Sequence, residues 1–565
     1  MKTMIPFLLI LAAPFFGVEP SAPEPVADGP LASAPLADKG PFYSDVIADS
    51  LNGILFLGSW DKVRKGADAS GVVSQGVALL DRHPAFLRQL QAEFIGRPLT
   101  QGALWKIKAD VSEFYCSQGQ PFVIVSIPKQ KPGNGVLQVV VDEARFGNIT
   151  VKGNDAFTPD RIRGFVQAKS GDLIDGKQLV QDMARMNQNP FRRTDAVFRP
   201  GKKPGTADLE LATIDRWPYR CYIGADNTGT SATDRDRIFL GFNLGKTIVE
   251  DSEISYQVTI SPNWNRFTAQ TALFRIPFPA RQTMIFYGGY SQVRPHLRNT
   301  PDSEKSKSWQ VDGRYRIPTV TNTSFLQELL LGFDYKQVLA RIKRHGVEIF
   351  KNNASIDQFM IGYDLGHRSP HHKATLVAEL YGSPGGMSHG NTTEKFEVFR
   401  PGATPHYVYF KLSHSFAYRF SRFWVSYDIN GQLSSKNLLP SEQFTLSGYN
   451  AVRGFEERIV NVDNAILVNL TFQTPRLSIG QWAGWSKRSF DELYFLAFFD
   501  GGYGGNTNPL IGESRTVSLG SIGPGVRYQI DRYLTARFDY GFQLWHHGFH
   551  NPTHSRYNFG LIVSF

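Results

Sequence analysis

From about Arg216 to the last residue, Phe565, helical periodicity is absent and apolar residues alternate with polar ones. Ile254, Tyr256, Val258 and Ile260 alternate with Ser255, Gln257 and Thr259, and Phe423, Val425, Tyr427 and Ile429 with Ser426, Asp428 and Asn430. Leu534, Ala536, Phe538, Tyr540 and Phe542 do the same with Thr535, Arg537, Asp539, Gly541 and Gln543. In an extended strand the two sets point to opposite faces, one apolar and one able to line water. A soluble sandwich alternates too, but with a smaller aromatic share. Here aromatics reach 13% while hydrophobic residues total only 41%, a mixture that suits a membrane β-barrel, where every second residue meets lipid. Strands of roughly 9 to 11 residues, with their connections, would place about 16 antiparallel strands in residues 216–565. Closure is expected because lipid cannot satisfy an open sheet edge.

Ahead of the barrel the pattern changes. The apolar run at residues 5–16 follows Lys2 and reads as a signal peptide over 1–17, and the Pro/Ala-rich stretch within 18–49 as an extended linker. Residues 50–143 read as a small α+β domain. Its expected elements are a strand at Ile54 to Leu57, helical spacing through Val72, Val73, Leu79, Leu80, Phe86, Leu87, Leu90 and Phe94, and a helix through Leu104, Ile107, Val111 and Tyr115. Strands at 122–127 and 136–141 flank the turn residues Pro132, Gly133, Asn134 and Gly135. Residues 144–215 repeat the theme: a strand at 146–151, a helix capped by Thr158 with Pro159 first, a helix over 175–186, and strands around Val197 and over 209–214.

The net charge of +10 is scattered rather than clustered, which argues against nucleic acid. Cys116 and Cys221 lie far apart and give no disulfide framework. There is no Gly-rich phosphate loop, and Ser413-His414-Ser415 alone fixes no catalytic geometry. No cofactor and no enzymatic activity are expected.

Val452-Arg453-Gly454-Phe455 interrupts the alternation with a fixed cation in a segment, Ser447 to Ala451, whose residues suit a loop. Downstream, Leu493, Phe495, Ala497 and Phe499 occupy one face of a strand, and Phe498, Asp500 and Gly502 the other, so Asp500 should face the lumen. An inward loop would let Arg453 meet Asp500, and the guanidinium fork matches a carboxylate with two parallel hydrogen bonds. The alternative is a solvated loop arginine.

The stretch 446–455 together with Phe498-x-Asp500-x-Gly502 resembles the two signature motifs of the two-partner secretion transporters, the TpsB family of the BamA-like outer-membrane superfamily. Ile127-Pro128-Lys129-Gln130 followed by Gly135 and Leu137 is similar to the end of that family's first POTRA domain. Asn189-Pro190, Arg193, Phe198-Arg199-Pro200-Gly201 and Gly205-Thr206-Ala207-Asp208-Leu209 resemble its second, and Asp226-Asn227-Thr228-Gly229 the turn after its first barrel strand. The last strand, with Tyr557, Phe559, Leu561, Val563 and a terminal Phe565 on one face, looks like the insertion signal read by the barrel-assembly machinery. The resemblance implies two POTRA domains in the periplasm (50–143 and 144–215) and a 16-stranded barrel in the bacterial outer membrane. It also implies export, without nucleotide hydrolysis, of an unfolded partner that becomes a secreted β-helical exoprotein. A BamA-like insertase and a diffusion porin are the alternative readings. Family members commonly carry an N-terminal plug helix; the Pro-rich residues 19–41 depart from that pattern.

His546, His547, His550 and His554 before the last strand, and His367, His371 and His372 near Pro370, read as exposed loop histidines rather than metal ligands. Trp424, Trp482, Trp485 and Trp545 read as interfacial girdle residues.

Overall fold

A computed structural model describes residues 46–565 except 121, 131–133, 204, 248, 250, 279–281, 297–301, 322–323, 485–490 and 552. The signal peptide, nearly all of the linker, Pro132-Gly133 and Trp485 lie outside the described residues. The chain divides into two units, one ending at Trp217 and the other running from Pro218 to Phe565.

The N-terminal unit holds two cores. In the first, Gly53–Leu57 lies parallel to both Gly71–Gln75 and Val136–Glu143, and Val123–Ser126 completes the sheet antiparallel at one edge. Helix Gln101–Ser117 presents Ile107, Val111 and Tyr115 at four-residue intervals to that sheet, and Thr100 caps it by accepting the Ala103 N–H at 3.1 Å. Val72 and Val73 belong to a strand and not to the expected helix. Two β-branched residues at i, i+1 carry no helical period, and parallel pairing with 53–57 decides their state. Each fully buried Ile, Leu or Phe in such a core contributes roughly 1.5–3 kcal/mol.

The second core packs helices Pro159–Gly164 and Gly176–Met186 on a three-stranded sheet in which Thr206–Asp215 is central, parallel to Arg145–Lys152 and antiparallel to Arg192–Pro200. Asp175 caps the second helix through the Gln178 N–H at 3.0 Å. The Thr158 side chain makes no cap bond; Pro159 at the first helical position presets the turn.

The second unit is a closed antiparallel barrel of sixteen strands. They are β1 (Tyr219–Asp226), β2 (Arg237–Leu244), β3 (Glu253–Ile260), β4 (Phe267–Pro277), β5 (Thr283–Val293), β6 (Asp302–Thr321), β7 (Phe325–Arg344) and β8 (Val347–Arg368). The rest are β9 (His372–Pro384), β10 (His406–Phe420), β11 (Phe423–Ser434), β12 (Asn464–Gln473), β13 (Asp491–Gly505), β14 (Val517–Ile530), β15 (Leu534–His547) and β16 (Ser555–Ser564). β16 closes on β1 through the pairs Tyr222↔Ser564 to Asp226↔Gly560, and Phe565 exchanges backbone hydrogen bonds with Cys221. The alternation is realised as two faces. Tyr557, Leu561 and Phe565 are exposed outward on the last strand, where Asn558, Ile562 and Ser564 are buried inward.

Three strands far exceed the expected 9 to 11 residues: β6 and β7 have 20 and β8 has 22. About ten tilted residues cross a membrane, so the surplus stands beyond it. On β8 the surplus is at the rim carrying the β7–β8 turn, because pairing with β9 stops at Phe359↔Gly382. Loop 385–405 takes over the exposed edge: the Ser355 N–H donates to the Gly390 carbonyl at 2.9 Å and Asn391 Nδ2 donates to the Ser355 carbonyl at 2.9 Å.

Candidate functional site: a loop seated in the barrel lumen

Loop 435–463 joins β11 to β12 and folds into the barrel. A two-stranded ladder, Phe444–Thr445 with Asn461–Val462, forms its stalk. The tip is fixed by its own backbone: Val452 N–H donates to the Leu446 carbonyl at 3.0 Å, and Arg458 N–H to that of Ser447 at 3.2 Å. Leu446, Val452, Phe455, Val460 and Val462 are buried against Ala465, Leu467, Val517 and Leu519. Val452 and Phe455 are thus the apolar anchors on either side of Arg453.

On β13, Leu496, Phe498, Asp500, Gly502 and Gly504 are buried inward while Phe495 and Tyr503 are exposed outward. Arg453 Nε and Nη2 donate to Asp500 Oδ2 and Oδ1, both at 2.8 Å, and the Arg453 backbone N–H donates to Oδ2 at 3.0 Å. The guanidinium lies 3.6 Å from the centre of the Phe498 ring. Arg453 is 6% exposed and Asp500 wholly buried. Gly502 leaves room for the loop, since a Cβ there would sit 3.0 Å from Leu446 Cδ2 and 3.3 Å from Val452 Cγ2. Each member of the two motifs therefore has a contact: Phe498 under the cation, Asp500 on its fork, Gly502 beside the loop's apolar anchors. The structure places Arg453 in the lumen and not in solvent.

Sequence reasoning missed the surrounding set. Asn469 on β12 donates to Asp500 Oδ1 at 2.8 Å and to the Ala451 carbonyl at 2.9 Å. Asp539 on β15 lies 3.7 Å from Arg453 Nη1 and accepts from Arg527 Nη1 and Nη2 at 3.0 Å each and from Arg537 Nε at 2.7 Å. Arg537 in turn donates to the Tyr449 carbonyl at 2.9 Å and stacks on the Tyr449 ring at 3.8 Å. Gln543 Nε2 donates to the Gly454 carbonyl at 2.6 Å. The polar face of β15 was legible as Arg537, Asp539, Gly541 and Gln543; that it meets the loop was not. Nearer the start of the loop, Glu442 accepts from Lys336 Nζ at 2.9 and 3.0 Å, from the Tyr409 hydroxyl at 2.8 Å and from Gln358 Nε2 at 3.1 Å.

The remaining candidates lie elsewhere. Phe559, Leu561, Val563 and Phe565 line the outward face of β16, away from the lumen. His367 Nδ1 and His372 Nε2 are 3.1 Å apart at the β8–β9 turn. Among the described residues no group of three or more His, Cys, Asp and Glu side chains is placed to hold a metal. Trp545 packs outward beside Phe499, whereas Trp424 falls on the face opposite to Phe423 and Val425 and is not a girdle residue. Periodicity within β11 itself carried that signal.

A closed sixteen-stranded barrel with a long loop pinned inside it defines a membrane β-barrel protein with an occupied lumen. The chain belongs to the haemolysin secretion/activation protein ShlB/FhaC/HecB family, whose model matches residues 205–527. It is 21% identical over 466 residues to the heme/hemopexin transporter protein HuxB of Haemophilus influenzae, covering 78% of this chain and 77% of that one. It is 20% identical to the outer membrane transporter CdiB of Dickeya dadantii, over 81% and 80% of the two chains. The solved structure of CdiB from Escherichia coli shares the fold with a TM-score of 0.75 at 16% identity, covering 94% and 93%. The protein is an outer-membrane transporter of the two-partner secretion class.

Proposed function

We propose that the protein exports one unfolded partner exoprotein, of the β-helical kind, through its barrel. The two modules at residues 50–143 and 144–215 act as POTRA domains that capture the partner in the periplasm by adding its strand to an exposed sheet edge. Folding of the partner outside supplies the driving force, with no nucleotide hydrolysis. The seated loop carries this reading: a 29-residue loop (435–463) held by a buried ion pair is an element that can be positioned and released while the wall stays fixed. Supporting it, HuxB and CdiB are named as transporters, and the family as a secretion/activation family. The test is a two-protein assay in which this chain is combined with a candidate secreted β-helical partner. Deleting residues 145–215 should abolish binding of the unfolded partner, and undiminished binding would overturn the capture role.

A further inference from the structure

A second buried guanidinium–carboxylate pair sits at the rim, where it joins loops to one another. Arg400 follows the short helix Thr393–Phe399 of loop 385–405 and is 4% exposed. Its Nη1 and Nη2 donate to Asp463 Oδ1 and Oδ2 at 2.5 and 3.1 Å, and Nη1 also donates to the Leu438 carbonyl at 2.7 Å. Asp463 is wholly buried and immediately precedes β12, so its carboxylate is fixed to the wall. It also accepts the Leu438 N–H at 3.0 Å, Gln443 Nε2 at 3.2 Å and the Thr507 N–H at 3.1 Å. One carboxylate thereby gathers donors from loops 385–405, 435–463 and 506–516. Asn437 repeats the junction, accepting the Asn508 N–H at 2.7 Å and donating to the Asn508 carbonyl at 2.8 Å and the Pro401 carbonyl at 3.4 Å.

Beneath these bonds the loop covers the inner wall. Phe396, Phe399 and Ala403 belong to one buried cluster with Ala354, Ile356 and Tyr409. On β8 and β10 those wall positions alternate with outward Phe359, Ile361 and Val408, which are about half exposed. The helix and Ala403 therefore lie on the lumen side of the rim, while residues 388–391 wrap the free edge of β8 and cover Ser355 and Asp357 on its other face.

We propose that loop 385–405 is a lid on the pore, held shut by Arg400 and Asp463 as a positioning pair that acts separately from Arg453 and Asp500. The inner pair ties the tip of one loop to β13; the rim pair ties a different loop to the foot of β12. Arg400 cannot lose its charge, so the lid opens only when its fork leaves Asp463. This inference rests on the barrel being the export route and goes beyond it by naming what closes that route.

Planar-bilayer recording from the purified full-length protein tests the lid without any partner, so its failure is separable from failure of the export reading. Arg400→Ala should raise open probability about tenfold, the population shift expected on losing a buried charge-assisted bond. Asp463→Asn should do at least as much, and the double variant no more than Asp463→Asn alone. Arg400→Lys, which keeps the charge but not the fork, should give a smaller rise and decides the matter if Arg400→Ala does not insert. Inserted variants that gate like the parent protein, or a double variant whose effect is the sum of the singles, would overturn the lid.

Discussion

Gly541 on β15 and Gly454 in the seated loop are in backbone contact: a Cβ at 541 would fall 2.6 Å from the Gly454 nitrogen, 2.7 Å from its Cα and 2.8 Å from the Arg453 carbonyl carbon. Gly454 itself has φ +102°, a conformation that side chains disfavour. The loop thus reaches the wall by apposing two residues without side chains, and the ion pair forms beside that contact. Gly541→Ala should leave β15 paired yet weaken loop seating by about 1–3 kcal/mol, since backbone atoms cannot move aside as a flexible side chain would. Faster protease cleavage within residues 448–458 of a folded barrel would show it; unchanged cleavage would mean that the close approach does not matter.

Arg453→Lys keeps the cation but gives up the parallel bonds to Asp500 and the stacking on Phe498. Arg453→Ala leaves Asp500 buried beside Asn469 without its cation, a loss on the order of 3 kcal/mol. The expected order of thermal resistance of the seated loop, followed by protease protection on heating, is parent protein, Lys variant, Ala variant. An Ala variant as resistant as the parent protein would count against the clamp.

Burial pushes the Glu457 carboxyl of the loop up to about 7, against the pull of the Tyr449 N–H it accepts and of Arg556 and Arg458. An acid raised above its ordinary value near 4.5 favours the seated loop while protonated. That contribution is complete below the ordinary value and is lost as pH rises through about 7. Loop protection should therefore be greater at about pH 5.5 than at about pH 8, and Glu457→Gln should flatten the difference. A pH dependence that survives this substitution would place its origin elsewhere.

In the second α/β module, the Asp215 carboxylate accepts the N–H groups of Asp155, Ala156 and Phe157 at 2.8, 3.1 and 3.0 Å. Asp215→Ala should destabilise that module by about 1–2 kcal/mol. Hydrogen exchange at 155–157 should accelerate while the barrel amides stay protected. Exchange rates equal to the parent's would show that water replaces the carboxylate without loss.

The barrel was legible because lipid and lumen impose a period of two on each strand, as at Phe538, Asp539, Tyr540 and Gly541. Arg453 and Asp500 could be brought together from the strand parity around Asp500 and the motif around Arg453. Asp539, Arg527 and Arg537 share a polar lumen face, yet nothing local says that an inward loop will fill it. Arg400 with Asp463, and Lys336 with Glu442, are 63 and 106 residues apart; the first pairing follows from two loops meeting at one rim and the second from a loop meeting β7, and no sequence period encodes either. Val72 and Val73 depart from the expected helix because a parallel partner 18 residues away, Leu55 for Val73, decides their conformation.

A double-variant cycle in partner export tests the central claim most directly. Arg453→Ala and Asp500→Ala should each leave the barrel inserted and sharply reduce the exported partner, and the double variant should export no less than the worse single variant, because both remove one interaction. Export losses that multiply in the double variant, or normal export from inserted Arg453→Ala, would contradict a working role for the pair.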